Sequence, residues 1–306
     1  MDEITISGEQ PGPSLWKVSK DGHVMWVLGT LSPLPREITW RSRQVEEAIA
    51  SSKEILVQES VQADIGFFRA IRLLPAALRA RRNPDGARLK DVLPPELYAR
   101  WSRLKAPYFD ENDLETYRPM MAAMSLYYEA LEKAGLTEKP IVLRTVRKLA
   151  KKHRVPVTAP RIKVELENPR QLLKDITETP RDMDIACFVS ILDVVETELQ
   201  QMKRRARAWA VGDVQALDRL HATPLRAESC LNVITNSPSL REQYAKAETL
   251  ARAEWKANVE RALSQNDVTF AVLSMASILS PDGRIAQMKA QGYVVEIPAF
   301  SDAAGQ

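Results

Sequence analysis

Residues 14–30 read SLWKVSKDGHVMWVLGT, and their pattern decides how the rest of the chain is read. Two runs rich in Trp, Val and Leu flank Asp21-Gly22, a pair suited to positive φ, so the spacing predicts a β-hairpin. The second run continues as WVLGTLSPLP (26–35), passing through Gly29 and Ser32 into two prolines. Chains bend in this way where a sheet presents groups to a site. Downstream, RSRQVEEAIASS (41–52) places Val45, Ala48 and Ile49 on one helical face. EILVQES (54–60) then reads as a short buried strand ending at Glu59. The chain therefore opens as hairpin, helix, strand.

The other end mirrors this character. TFAVLS (269–274) reads as a strand, PDGRIAQMKAQG (281–292) as a helix and YVVEIP (293–298) as a strand. Between the ends, helical spacing covers 62–82, 95–105, 114–134, 141–153, 213–221, 225–235 and 239–264. A long helix is expected over 181–210, from Thr179-Pro180 to a stop at Gly212. VPVTAP (155–160) and IKVEL (162–166) are strand-like. These readings give an α+β fold with a central mixed β-sheet built from the N- and C-terminal segments. A large helical insert spans about 62–264. The expected organisation is a disordered tail over 1–13 and one domain over 14–300.

Composition narrows the function. The 306 residues carry 43 basic and 40 acidic side chains, a formal charge of +3 that does not argue for nucleic acid. The basic runs RLLPAALRARR (72–82) and RKLAKKHR (147–154) fit solvated helix faces. No apolar run reaches the length of a membrane span. The polar start MDEITISGEQPGPS carries no signal peptide, which fits a cytosolic start or a mature form whose signal was removed. Cys187 and Cys230 are the only cysteines, and they are either buried thiols or one disulfide. His23, His153 and His221 complete a sparse set of metal ligands. His23 is expected to be exposed beside the hairpin turn, and the other two sit at helix ends, where a cation suits the carbonyl terminus.

LWKVS, WVLGT and LP, followed by an amphipathic helix and EILVQE, resemble the opening of the TraB/GumN family, which includes the Tiki proteins. FAVLSMASILSPDGRIAQMKAQGYVVEIP resembles that family's closing unit, and RAWAVGD (207–213) with a Cys on either side resembles its GumN-like members. The resemblance implies a sheet core with a helical insert. In Tiki-like members it implies two Gly-x-x-His motifs and a glutamate that hold a divalent metal for peptide-bond hydrolysis. Carried over by position, Gly29 matches the first glycine and Ser32 stands where the first His would be. Glu59 matches the glutamate, and Ser274 and Ser277 stand for the second glycine and His. Both motif histidines are thus serines, whose neutral hydroxyls are far poorer ligands for Zn, Mn, Co or Fe than imidazole. Because GumN-like members are exported, the resemblance implies a periplasmic location and favours a Cys187–Cys230 disulfide. A cytoplasmic location is the alternative.

The remaining candidates divide by context. Ser32 and Ser277 lack a nearby base and a Gly-x-Ser-x-Gly elbow, so a backbone-capping role outweighs a nucleophilic one. Glu59 is a candidate catalytic or binding acid. Its structural alternative is a salt bridge to Arg118, Arg252 or Arg284. Glu167 and Gln171 resemble, weakly, a further family segment, although surface capping suits them better. Asp282, after Ser280-Pro281, marks a helix start able to take an anion. The tryptophans are expected to pack, and any that lines the cleft would suit sugar stacking.

Three readings follow. The first is a non-catalytic binding or accessory protein with a degenerate cleft formed by Gly29, Ser32, Glu59, Ser274, Ser277 and Asp282. It needs no cofactor, and its partner is a small molecule, a saccharide or a protein, with a link to exopolysaccharide production by analogy. The second is a peptidase-like hydrolase using Glu59, with a divalent metal held by ligands outside the two motifs. The third is an assembly protein, favoured by a large exposed apolar patch on helices 62–82 or 114–134.

Overall fold

The computed structural model describes residues 12–40, 43–64, 66–165, 168–221, 230 and 238–297. The hairpin forms as its sequence requires. Strands β1 (Leu15–Lys20) and β2 (His23–Thr30) pair antiparallel, and Asp21 and Gly22 turn the chain at φ 52° and 86°. Alternation buries Trp16 and Val18 on β1 and Met25 and Val27 on β2. Next come β3 (Leu34–Pro35), α1 (Arg43–Ser51) and β4 (Ile55–Val57). Helix α1 buries the expected face of Val45, Ala48 and Ile49.

A correction follows directly. The third strand stops at Val57, before Glu59, and the chain extends again as β5 (Ser60–Asp64) before helix α2 (Phe67–Ala80) begins. The helix expected over 62–82 is therefore shorter. Strand β5 pairs in parallel with a later strand, so its backbone groups are satisfied without an apolar sequence run.

The middle of the chain supplies α3 (Leu89–Val92), α4 (Pro95–Lys105), α5 (Pro119–Lys133), β6 (Leu136–Thr137), α6 (Ile141–His153), β7 (Val157–Thr158), β8 (Arg161–Glu165) and α7 (Pro169–Thr177). The long helix runs as α8 (Arg181–Asp193) and α9 (Leu199–Val211), joined by a π turn at Val194–Glu198. It ends at Gly212, whose φ of 75° is left-handed and whose hydrogen lies where a side chain would meet Ser14 Oγ at 2.6 Å. Helices α10 (Val214–His221) and α11 (Pro238–Gln265) follow. Apart from Cys230, the helix expected over 225–235 lies outside the described residues, as do residues 1–11 of the expected tail. The chain closes with β9 (Val268–Ser274), α12 (Met275–Leu279), α13 (Arg284–Ala290) and β10 (Val294–Glu296).

The main sheet is mixed and six-stranded, in the order β10-β1-β2-β9-β4-β7. The fold is α+β, with the sheet's centre drawn from both ends of the chain and one edge strand, β7, contributed by the middle. Strand β9 lies parallel to β2 on one side and to β4 on the other. Phe270, Ala271, Val272 and Leu273 are all buried, as a central parallel strand covered on both faces demands. Each large side chain among them stabilises the fold by about 1.5–3 kcal/mol through burial.

A second hydrophobic cluster forms within the helices, around Leu89, Trp101, Leu126, Phe188 and Leu192. Buried charges there are paired. Arg118 donates to Asp184 Oδ2 at 2.9 Å and to the carbonyls of Ile176, Thr177 and Thr179, while Met120 N donates to Asp184 Oδ1 at 2.7 Å. Lys105 Nζ lies 2.8 Å from Glu115 Oε1. Cys187 and Cys230 form a disulfide across 43 residues, worth roughly 4 kcal/mol in the chain-entropy estimate.

At the sheet's far edge, Glu54 accepts two hydrogen bonds from Arg261, at 2.8 and 2.9 Å, and one from Thr158 Oγ1. Burial pushes the Glu54 carboxyl up, but the bonds from Arg261 and Thr158 outweigh it and hold the group below the ordinary carboxylate range. A depressed folded value adds stability that is complete above the ordinary carboxylate range and is lost as pH falls through the folded value. Urea midpoints measured against pH are expected to show Arg261→Met less stable than wild type at neutral pH, with the two converging in acid.

Candidate functional site

The carboxyl ends of β2, β4 and β9 lie on one edge of the sheet, the edge at which parallel α/β sheets place their ligands. The register sets Thr30 beside Ser274 and Val57 beside Val272. Gln58 stitches the edge together: its backbone N–H donates to Val272 O at 2.9 Å, and its Oε1 accepts from Ser274 N at 2.8 Å. Strand pairing thus brings the segments carrying Gly29, Glu59, Ser274 and Ser277 to one place.

Each of these residues has a local reason for its position. Gly29 is buried, and a side chain there would meet Met275 Sδ at 2.2 Å and Ile278 Cδ1 at 3.1 Å. Its carbonyl accepts from Trp209 Nε1 at 2.8 Å. Gly29 therefore lets α12 close over the strand end. Ser274 is the N-cap of α12: its Oγ accepts from Ser277 N at 3.1 Å and lies 2.9 Å from Ser277 Oγ. The two serines at the second motif are thus engaged with each other. Ser32 is exposed, two residues beyond the end of β2 and before the cis Pro33.

Glu59 carries the electrostatics. Its side chain is 2% exposed and pairs with that of Arg284, which is 6% exposed. Arg284 Nη2 donates to Glu59 Oε1. Of the three arginines that sequence suggests, Arg284 is the partner, whereas Arg118 serves Asp184. The pair extends into a chain of charges. Arg284 Nη1 lies 3.6 Å from Glu248 Oε1, which accepts from Arg252 Nε at 2.7 Å. Among the described residues, Glu59 Oε2 and Arg284 Nε are buried with no hydrogen-bond partner.

Asp282 stands apart. Helix α13 begins at Arg284 with Gly283 as its N-cap, so the start expected at Pro281 falls outside the helix. Gly283 is required because a side chain there would meet Ser277 O at 2.5 Å. The Asp282 carboxylate accepts from Ser280 Oγ, which holds it below the ordinary range, and its carbonyl accepts from Arg252 and Gln287. Glu167 lies outside the described residues. Gln171 is exposed, and its N–H groups bond Asn168 and Asp175 within the start of α7. His23 is half-buried rather than exposed, because its Nδ1 meets Asn266 O at 2.9 Å. His153 Nε2 lies 2.8 Å from Glu46. Of the tryptophans, five are buried and Trp26 is partly buried against the core, so they pack.

The donors at this edge do not fit a divalent metal. One carboxylate is engaged by a guanidinium, whose positive charge opposes a second cation. The hydroxyls of Ser32 and Ser277 are neutral. Among the described residues, no three His, Cys, Asp or Glu side chains gather as a metal-binding group. Sequence alone could name Arg284 but could not choose it, because the choice depends on where α13 lands after β9.

A buried ion pair broken on one side leaves an unpaired charge, at a cost of about 3–5 kcal/mol. Arg284→Met is expected to lose stability on that scale in urea unfolding. Glu59→Gln/Arg284→Met is expected to lose clearly less than the sum of the two single changes. Losses that add within about 0.5 kcal/mol would show that the two groups are not coupled.

No curated protein and no solved structure matches the chain. The sequence model of the TraB/PrgY/gumN family matches residues 14–297, from the first strand of the hairpin to just past β10. That span contains the whole described sheet and the edge just described, and the chain belongs to the TraB/PrgY/gumN family.

Proposed function

We propose that this protein binds at the carboxyl edge of its sheet and does not cut: a non-catalytic binding or accessory member of its family. The observation that carries this reading is the Glu59–Arg284 ion pair. Glu59, the carboxylate that the family resemblance puts forward as a base or a ligand, is neutralised from within the chain. A general base must reach a substrate proton, and a catalytic metal needs about three protein ligands and an open position. Ser277 is tied into the cap of α12, and neither motif serine has an imidazole beside it in sequence. Glu59 is buried beneath the edge, so a ligand here meets the exposed groups of the strand ends, among them Ser32. The ligand is a small molecule, a saccharide or a partner protein.

The disulfide supports an exported, periplasmic setting, because such bonds persist in oxidising compartments. No described helix is long and apolar enough to cross a membrane. The gumN likeness connects the reading to exopolysaccharide production by analogy at the family level.

Incubation with a peptide mixture and with oligosaccharides, in the presence of Mn, Co or Zn, tests the proposal. Product formation is expected to stay at the blank, and Glu59→Gln is expected to behave as wild type. Metal-stimulated cleavage that disappears in Glu59→Gln would overturn it and restore the hydrolase reading.

A further inference from the structure

Helix α2 carries an apolar stripe that no other described element covers. Phe67, Phe68, Ile71, Leu74 and Leu78 are between 51% and 77% exposed. Positions 67, 71, 74 and 78 recur at spacings of four, three and four, so they line one face of the helix. Ala80 is the only buried residue of α2. Among the described residues this face is exposed, and a contiguous exposed apolar face marks a docking surface. Sequence already names 62–82 as one of two helices whose exposure would favour such a role, and on the other, α5, Tyr128 is the exposed large apolar side chain.

The charges beside the stripe select its occupant. From Phe67 to Pro84 the chain has Arg69, Arg72, Arg79, Arg81 and Arg82 and no acidic residue. Arg69, Arg72 and Arg79 are exposed on α2 itself, with Arg72 and Arg79 on the flank of the stripe. Arg81 and Arg82 stack on Tyr117, at 5.2 and 5.9 Å from its ring centre. A second copy of the chain would bring arginine against arginine. The area is also too small for a dimer: a 14-residue helix is about 21 Å long and its stripe ~10 Å wide, giving roughly 200 Å² against ~800 Å² per partner in a stable interface. A helix with aromatic and aliphatic side chains on one face and arginines along its flank matches the chemistry of a bilayer's anionic surface.

We propose that α2 docks this protein on an anionic phospholipid bilayer, with Phe67, Phe68, Ile71, Leu74 and Leu78 entering the boundary between headgroups and acyl chains and Arg72 and Arg79 meeting the phosphates. The helix lies in the interface and does not span it. This inference is independent of the reading of Glu59, whose edge of the sheet plays no part in it.

Vesicle flotation with the full chain tests the proposal. The probes are phosphatidylcholine vesicles and vesicles of three parts phosphatidylcholine to one part phosphatidylglycerol. The protein is expected to float with the anionic vesicles and not with the neutral ones, and high salt is expected to release it. Phe67→Ser/Phe68→Ser and Arg72→Glu/Arg79→Glu change only exposed side chains, and each is expected to weaken binding at least about tenfold with the thermal midpoint unchanged. Failure to float, equal flotation with both vesicles, or variants that bind as wild type would overturn the proposal. So would a concentration-dependent dimer that Phe67→Ser/Phe68→Ser disperses, which would assign the stripe to a second copy.

Discussion

The parallel insertion of β9 between β2 and β4 is the constraint from which the rest of the site follows. Strand β9 comes from the last fifth of the chain, and its neighbours come from the first. Once β9 is seated, its register fixes Ser274 beside Thr30, and the cap on Ser274 fixes the direction of α12. Gly29 then has to lack a side chain, because α12 crosses directly above it. The chain turns at Gly283 and sets Arg284, the first residue of α13, over Glu59. The pairing of a carboxylate and a guanidinium 225 residues apart is thus a consequence of sheet order. It also locks that order, because displacing the closing unit would leave Glu59 charged, buried and alone.

The chemistry of the edge follows from that pairing. A divalent cation and a guanidinium both neutralise a carboxylate, but they do different work. A metal polarises a bound water and lowers its pKa, whereas a guanidinium holds its charge at any physiological pH and has no open coordination position. At this edge the guanidinium of Arg284 lies against Glu59, and the hydroxyls of Ser274 and Ser277 are engaged with each other.

The parts of this structure that rest on strong local signals were legible from sequence. The Asp21-Gly22 turn, the apolar run of β9, the stop at Gly212 and the apolar face of α1 each follow from backbone or burial requirements that the residues state by themselves. The β5–β8 pair was only half visible, because SVQAD and RIKVE have no apolar run and gain their partners only through tertiary placement. The start of α13 was misread for a related reason: Pro281 is a good first-turn residue, but the close approach of Ser277 to Gly283 decides the cap. At the site, the gathering of Gly29, Glu59 and Ser274 depends on strand pairing, which no one of these segments states by itself. The partner of Glu59 could not be read, since three arginines satisfied the same sequence argument. The exposure of the α2 stripe was equally hidden, because an amphipathic pattern specifies an apolar face and not what covers it.

The most direct test of the central claim is a calorimetric titration of chelator-free protein with Mn, Co and Zn, accompanied by elemental analysis of the protein as purified. The Glu59–Arg284 pairing predicts no stoichiometric metal as purified and no saturable binding in the titration. One metal ion per chain, lost on Glu59→Gln, would contradict the account, because it would show that Glu59 serves a cation and not Arg284.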